Sequence, residues 1–399
     1  MKRIAISALI LIAGLAGTSL HAGIAIKAEQ VHTVSGEVIP NGIVLVDGDR
    51  IQAVGTAEEI DIPADYAVHE TAVVTPGLID ARSVVGLAGM YNVPDDQDQL
   101  DTSAPIQPGL RALDAYNPSE GLVEWLRSLG VTTLHTGPAP GALVSGQTML
   151  VHTRGDTVDD AVIRPLAGVS FTLGAGVSRH FESPGTRSKS VAMIRQAFED
   201  ARAYSRQDPD ERPSDLGNQA LLKVLEGELP ALVHANTAVD IMTALRLAEE
   251  FDLDLVLEGA ADAYLVLDRI REAGVPVLLH PTMTRTGGES MNAAFDTAAK
   301  LQEAGIPFAI QGGYEAYVPK ARVVLFEAAI AAANGLGVDH ALAAITLNPA
   351  RILGLDEDLG SIEVGKQADL VLFDGEPFEY VSRVCKVFIA GELVSEECR

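Results

Sequence analysis

The chain has 399 residues, 47% of them hydrophobic, with 37 glycines and 20 prolines spread along it. That length suits one large domain plus a small one, and the composition argues against disorder. The formal net charge is -26, from 55 acidic against 29 Lys and Arg residues. The acids are scattered and no basic cluster interrupts them, which excludes nucleic acid and anionic lipid as natural partners.

The first residues have the form of a secretory signal. Lys2 and Arg3 precede an apolar run over 4–15, and Ser19-Leu20-His21-Ala22 supplies small residues for cleavage after Ala22. The run falls short of the ~20 residues a spanning helix needs. No Cys lies nearby for lipid attachment. The expectation is a signal peptide over 1–22, export to the periplasm by the general route, and no membrane span after cleavage.

Short apolar runs separated by turns follow over 23–54, including the turns Pro40-Asn41-Gly42 and Asp47-Gly48-Asp49-Arg50, as in a β-meander. The far end answers with strands over 368–373 and 384–390. Terminal strands that cannot form a core alone are expected to pair, giving a small β-sandwich made from 23–74 and 359–399. The two cysteines of the chain, Cys385 and Cys398, lie in this last segment. They would bond in an oxidising compartment or remain free thiols, and spacing alone leaves both open.

Between them, over 75–358, strands alternate with amphipathic helices. A helix over 120–129 precedes a strand over 131–134. Strands over 231–233, 255–257, 275–279 and 307–310 are followed by helices over 238–251, 262–273, 290–304 and 320–334. This rhythm predicts a parallel sheet with helices outside, of a size that suits a (β/α)8 TIM barrel. A doubly wound sheet is the competing architecture, but no G-x-G-x-x-G follows any strand. The polar segment 179–190 reads as a loop before a helix over 191–204, placed to cover a pocket. The charged tract 207–215 reads as a solvated loop.

Four stretches, in this order, resemble the amidohydrolase superfamily and its imidazolonepropionase-like branch. They are Asp49-Arg50-Ile51-Gln52-Ala53-Val54-Gly55, Thr75-Pro76-Gly77-Leu78-Ile79-Asp80, the run from Thr346 to Leu355 containing Asn348-Pro349-Ala350-Arg351, and the run from Gly360 to Leu370 containing Glu363-Val364-Gly365-Lys366. Asn348 and Pro349 are suited to start a helix that Gly354 ends. Pro138-Ala139-Pro140-Gly141 with Ser145-Gly146-Gln147 resembles the branch's loop after the second strand. The resemblance implies a distorted TIM barrel with a two-part sandwich. It also implies hydrolysis of amide-like C–N bonds in small molecules by one or two divalent metals, which activate a water and polarise a carbonyl.

The usual metal ligands are mostly missing. The resemblance puts a His-x-His pair two residues after Asp80, where Arg82 and Val84 stand; a guanidinium cannot bind a cation and Val has no donor atom. The His expected after the sixth strand falls at Glu258-Gly259, and the Asp expected after the eighth falls within Gln311-Gly312-Gly313-Tyr314-Glu315. Only His234 occupies a ligand position. A zinc-like cofactor is therefore unsupported by the usual ligands. The polar residues expected at strand ends are His234, Arg82 and Glu258 as catalytic groups, with Asn236, His280, Gln311, Glu315 and His135 binding substrate. An unusual metal set of His234, Glu258, His280 and Glu315 is the alternative use of the same groups. His152 reads as a satisfied strand histidine. No G-x-S-x-G elbow and no Cys in the barrel leave serine or cysteine hydrolysis without a nucleophile. Two functions follow: a C–N hydrolase with a reduced metal site, or a non-catalytic binding subunit, either an oligomer or paired with an intact paralogue.

Overall fold

The computed structural model describes residues 23–91, 93–208, 210–283, 287–314 and 323–398. The expected signal segment and Glu315 lie outside the described residues. No helix among the described residues is long and apolar enough to cross a membrane.

The chain opens with β1 (Ile24–Val31), β2 (Ile39–Asp47), β3 (Arg50–Thr56) and β4 (Ala67–Pro76). It closes with β13 (Leu370–Phe373), β14 (Val384–Ile389) and β15 (Glu392–Ser395). These form one seven-stranded sheet in the order β15-β14-β13-β4-β1-β2-β3, so both termini share a sheet as expected. The β2–β3 turn needs Gly48 at φ +61°, a left-handed position without cost for glycine. Alternation along the strands splits the sheet's apolar residues between separate cores, a small one of Ala25, Ile43 and Leu45 among them. Leu370, Leu372 and Phe388 pack with Ile26, Val44 and Val74. Their neighbours Val371, Phe373 and Val387 join the main core of the barrel. Cys385 and Cys398 are disulfide-bonded, resolving the question the spacing left open.

The barrel strands are β5 (Leu78–Ser83), β6 (Val131–Thr136), β7 (Val144–His152), β8 (Val162–Thr172), β9 (Ala231–Ala235), β10 (Leu255–Gly259), β11 (Val277–Leu279) and β12 (Phe308–Ile310), in continuous order. A bridge from Ser83 to Gly313 brings β5 to the segment after β12 and nearly closes the ring. The fold is a distorted TIM barrel. The distortion lies at β7, which runs antiparallel to both β6 and β8. Residues 137–143 between β6 and β7 are too few for a crossover helix, whereas an antiparallel pair needs only a short connection. Ser145 to Gln147 are accordingly part of β7 and not of a loop.

The helix Ala238–Phe251 matches its expected span; Thr237 accepts from the Asp240 amide at its start, and Asp252 ends it at φ 57°. Two other expectations are corrected. The helix after β8 is Arg187–Ser205, capped by Thr186, so the last third of the proposed covering loop is helical. The helix expected to start at Asn348 is Leu347–Ile352, with Thr346 before it. Asn348 therefore sits inside the first turn and caps nothing, while Gly354 follows the end at φ +64°.

Candidate functional site

The barrel interior is layered. Ala81, Leu232, Val256, Leu278 and Ala309 form a buried apolar cluster. Side chains two residues further along a strand return to the same face. That rule puts His234, Glu258, His280 and Gln311 above the cluster, at the C-terminal strand ends where barrel sites form.

Arg82 is the largest fully buried side chain in this layer, with 0% exposure. Its Nε donates to Glu258 Oε1 at 3.0 Å. Nη1 donates to the carbonyls of Ser83 at 2.7 Å and Gly137 at 3.3 Å. Nη2 donates to the Pro138 carbonyl and to Ser170 Oγ, the latter at 3.3 Å. Val84, at the second ligand position, is buried in an apolar cluster with Ala88 and Ala139.

Glu258 uses its other oxygen as well: the Tyr314 hydroxyl donates to Oε2 at 2.6 Å. The Tyr314 ring lies 5.4 Å from the guanidinium carbon of Arg82 and meets the His234 ring edge-on at 5.3 Å. Asn236 Nδ2 lies 3.1 Å from His234 Nε2, and so donates to it, leaving His234 Nδ1 buried without a partner. Two glycines make room for the imidazoles. A Cβ on Gly259 would stand 2.8 Å from His234 Cε1, and one on Gly313 2.5 Å from His280 Cε1. Both have positive φ, +78° and +94°. His280 Nδ1 lies 3.4 Å from the Gln311 carbonyl, and Gln311 itself is buried, donating to the Leu278 carbonyl at 2.9 Å.

His234, Asn236, His280 and Tyr314 keep partial exposure, whereas Arg82, Glu258 and Gln311 are buried beneath them. His135 is sealed within the barrel wall, correcting its expected place as a substrate contact. Its Nδ1 donates to the Ala81 carbonyl at 2.9 Å and its Nε2 accepts from Thr148 Oγ1 at 2.8 Å. The outward-lying His152 pairs with Gln367 at 3.1 Å, away from the mouth.

Burial dominates the electrostatics. It lowers the His234 pKa to about 3, with His280 and Arg82 adding to the effect. His135 is lowered to about 3 by burial and then by Arg82. Asp80 is raised to about 7 by burial, against the opposing hydrogen bonds from the Gly312 and Arg82 amides. The Tyr314 hydroxyl is raised by burial and by the Glu258 carboxylate. Both imidazoles are therefore neutral at pH 7.

The residues present do not fit the metal centre that the family resemblance implies. A guanidinium and a valine fill the first two ligand positions, and both Glu258 oxygens are engaged. Among the described residues no group of three or more His, Cys, Asp or Glu is placed to hold a metal ion. The proposed set of His234, Glu258, His280 and Glu315 is thus not assembled by its described members.

Sequence reasoning missed Tyr314, Asp80 and Ser170. Tyr314 lay inside the stretch searched for an Asp, and no spacing rule singles out an aromatic there. Asp80 had one legible signal, a lone carboxylate in the apolar run Leu78-Ile79-Asp80-Ala81.

A nearly closed barrel with polar residues at its C-terminal strand ends, joined to a sheet built from both termini, defines the class of protein. A model of the amidohydrolase family matches residues 312–394. A solved amidohydrolase from Thermotoga maritima MSB8 is 30% identical with a TM-score of 0.88, over 94% of this chain and 100% of that one. The imidazolonepropionase of Brucella anthropi is 25% identical over 402 residues, covering 87% of this chain and 90% of the relative. The amidohydrolase tasK of Hapsidospora irregularis is 24% identical over 369 residues, and there the chain spans only 37% of the relative's length. The chain belongs to the amidohydrolase family.

Proposed function

We propose that this chain is an exported hydrolase acting on a non-peptide C–N bond of a small molecule. The observation that carries the reading is the whole-length likeness to the Thermotoga amidohydrolase. The mouth supplies groups that such chemistry uses. His234 is neutral and accepts from Asn236 through Nε2, so its unpartnered Nδ1 carries the ring hydrogen and can donate to a substrate carbonyl or leaving nitrogen. Asn236, His280 and Tyr314 surround it with hydrogen-bonding groups for a carbonyl or ring nitrogen. Arg82 and Glu258 act through Tyr314, as positioning residues beneath the substrate. Export is supported by Lys2, Arg3, the apolar run and the Ala22 cleavage point, and by a disulfide, which persists in oxidising compartments. Recovery of the protein in the cytoplasm with residues 1–22 intact would overturn that part.

The test is turnover of cyclic amides, imidazolones and N-acyl amino acids by the purified protein, with and without EDTA. The expected result is hydrolysis of at least one class, unaffected by EDTA and reduced about 100-fold or more in His234→Gln. A second reading, a binding subunit that works with an intact paralogue, is favoured by the Arg82–Glu258 pair at the expected metal position. Thermal stabilisation by these compounds without turnover of any would favour it over the first.

A further inference from the structure

The layer where the family resemblance expects metal ligands still contains a fixed positive charge. We propose that Arg82 is the barrel's resident cation, a positioning residue that replaces a divalent metal both in tying strand ends together and in holding Glu258 and Tyr314 against His234.

The contacts of Arg82 carry this assignment. A bound metal gathers lone pairs from several strands, whereas a guanidinium gathers acceptors with five N–H donors in a fixed plane. Here the acceptors come from Ser83 on β5, Gly137 and Pro138 in the loop after β6, Ser170 on β8 and Glu258 on β10. One side chain thus joins three strands and a loop. The carboxylate of Glu258, also 0% exposed, would be uncompensated without it. With both Glu258 oxygens engaged, one by Arg82 and one by Tyr314, the chain of contacts runs Arg82, Glu258, Tyr314, His234. A divalent ion placed here would meet a guanidinium instead of a ligand.

The experiment uses the purified protein and reads thermal unfolding and bound metal. The wild type is expected to melt within 1 °C of the same temperature in EDTA and in zinc or manganese, with no metal retained after gel filtration. Retention of one metal per chain, with a higher Tm, would overturn the proposal. Arg82→Met is expected to lower Tm by roughly 5–10 °C. The loss should be larger at pH 8 than at pH 5, because a buried carboxylate without its partner folds more readily when protonated. Arg82→Met/Glu258→Gln should recover most of the loss and abolish its pH dependence. A loss equal at both pH values and unrelieved in the double variant would mean that Arg82 merely fills space, and would overturn the proposal. Should Arg82→Met not fold, the double variant decides: a folded barrel supports the assignment and an unfolded one refutes it.

Discussion

Acid should weaken this fold through one imidazole in particular. His135 has 0% exposure, and both ring nitrogens are engaged in the neutral form, Nδ1 with Ala81 and Nε2 with Thr148. Protonation would turn the Nε2 acceptor into a donor facing a hydroxyl, beside the positive charge of Arg82. Its pKa in the fold is about 3 against 6.5 when unfolded. Because the folded value is the lower one, the contribution is complete above pH 6.5 and is lost as pH falls toward 3. The unfolded chain takes up the proton first. At 1.36 kcal/mol per unit, His135 alone removes about 2 kcal/mol between pH 7 and 5, and roughly 4 kcal/mol by pH 3. Urea unfolding of wild type and His135→Gln at pH 7, 6 and 5 isolates the effect. The variant will be less stable at pH 7, but the gap between the two proteins should shrink by about 2 kcal/mol at pH 5. A gap that stays constant across the three pH values would refute the reasoning.

Asp80 should act in the opposite sense. Its pKa is raised to about 7 in the fold, so its burial costs stability increasingly from pH 4 to 7, and Asp80→Asn should flatten that loss, of about 4 kcal/mol in full, in the same urea series. Gly259→Ala places a Cβ against Asn236 and His234 at a positive φ, and should cost about 1–3 kcal/mol while displacing the His234 ring, read by thermal melting and by the histidine resonances. Reduction of the Cys385–Cys398 bond, with a sequence separation of 13, should lower unfolding stability by up to about 3 kcal/mol, checked by melting with and without dithiothreitol and against Cys398→Ser.

The βα rhythm from residue 231 onward was legible because each strand is a short apolar run, and the first is followed by an amphipathic helix with a clear start at Thr237; the helices Leu267–Ala273, Thr297–Glu303 and Val324–Ala331 have no side-chain cap and start later than their expected spans. The inverted strand β7 was not, since an apolar segment reads alike in either direction and only the shortness of its connection betrays it. At the site, residue type and position identified Arg82 as the departure and His234 as the matching imidazole. The partners of Arg82 were not legible: three are main-chain carbonyls, which every residue possesses. His135 was misplaced for a related reason. A histidine at the end of an inner strand faces either the mouth or the wall, and Thr148 on the neighbouring inverted strand decides for the wall.

The place of β4 has a consequence for assembly. One of its edges pairs with β1 and the other with β13, so that Val74 lies beside both Val31 and Leu372. The whole barrel is thus synthesised before the strand that covers the second edge emerges. Until then β4 offers an unpaired hydrogen-bonding ladder, and the barrel lacks the cover of Val371 and Phe373. Such distant pairing makes for slow completion and for a growing chain prone to associate with its copies. A protein shortened before residue 370 would keep every group at the mouth, yet would carry that open edge permanently.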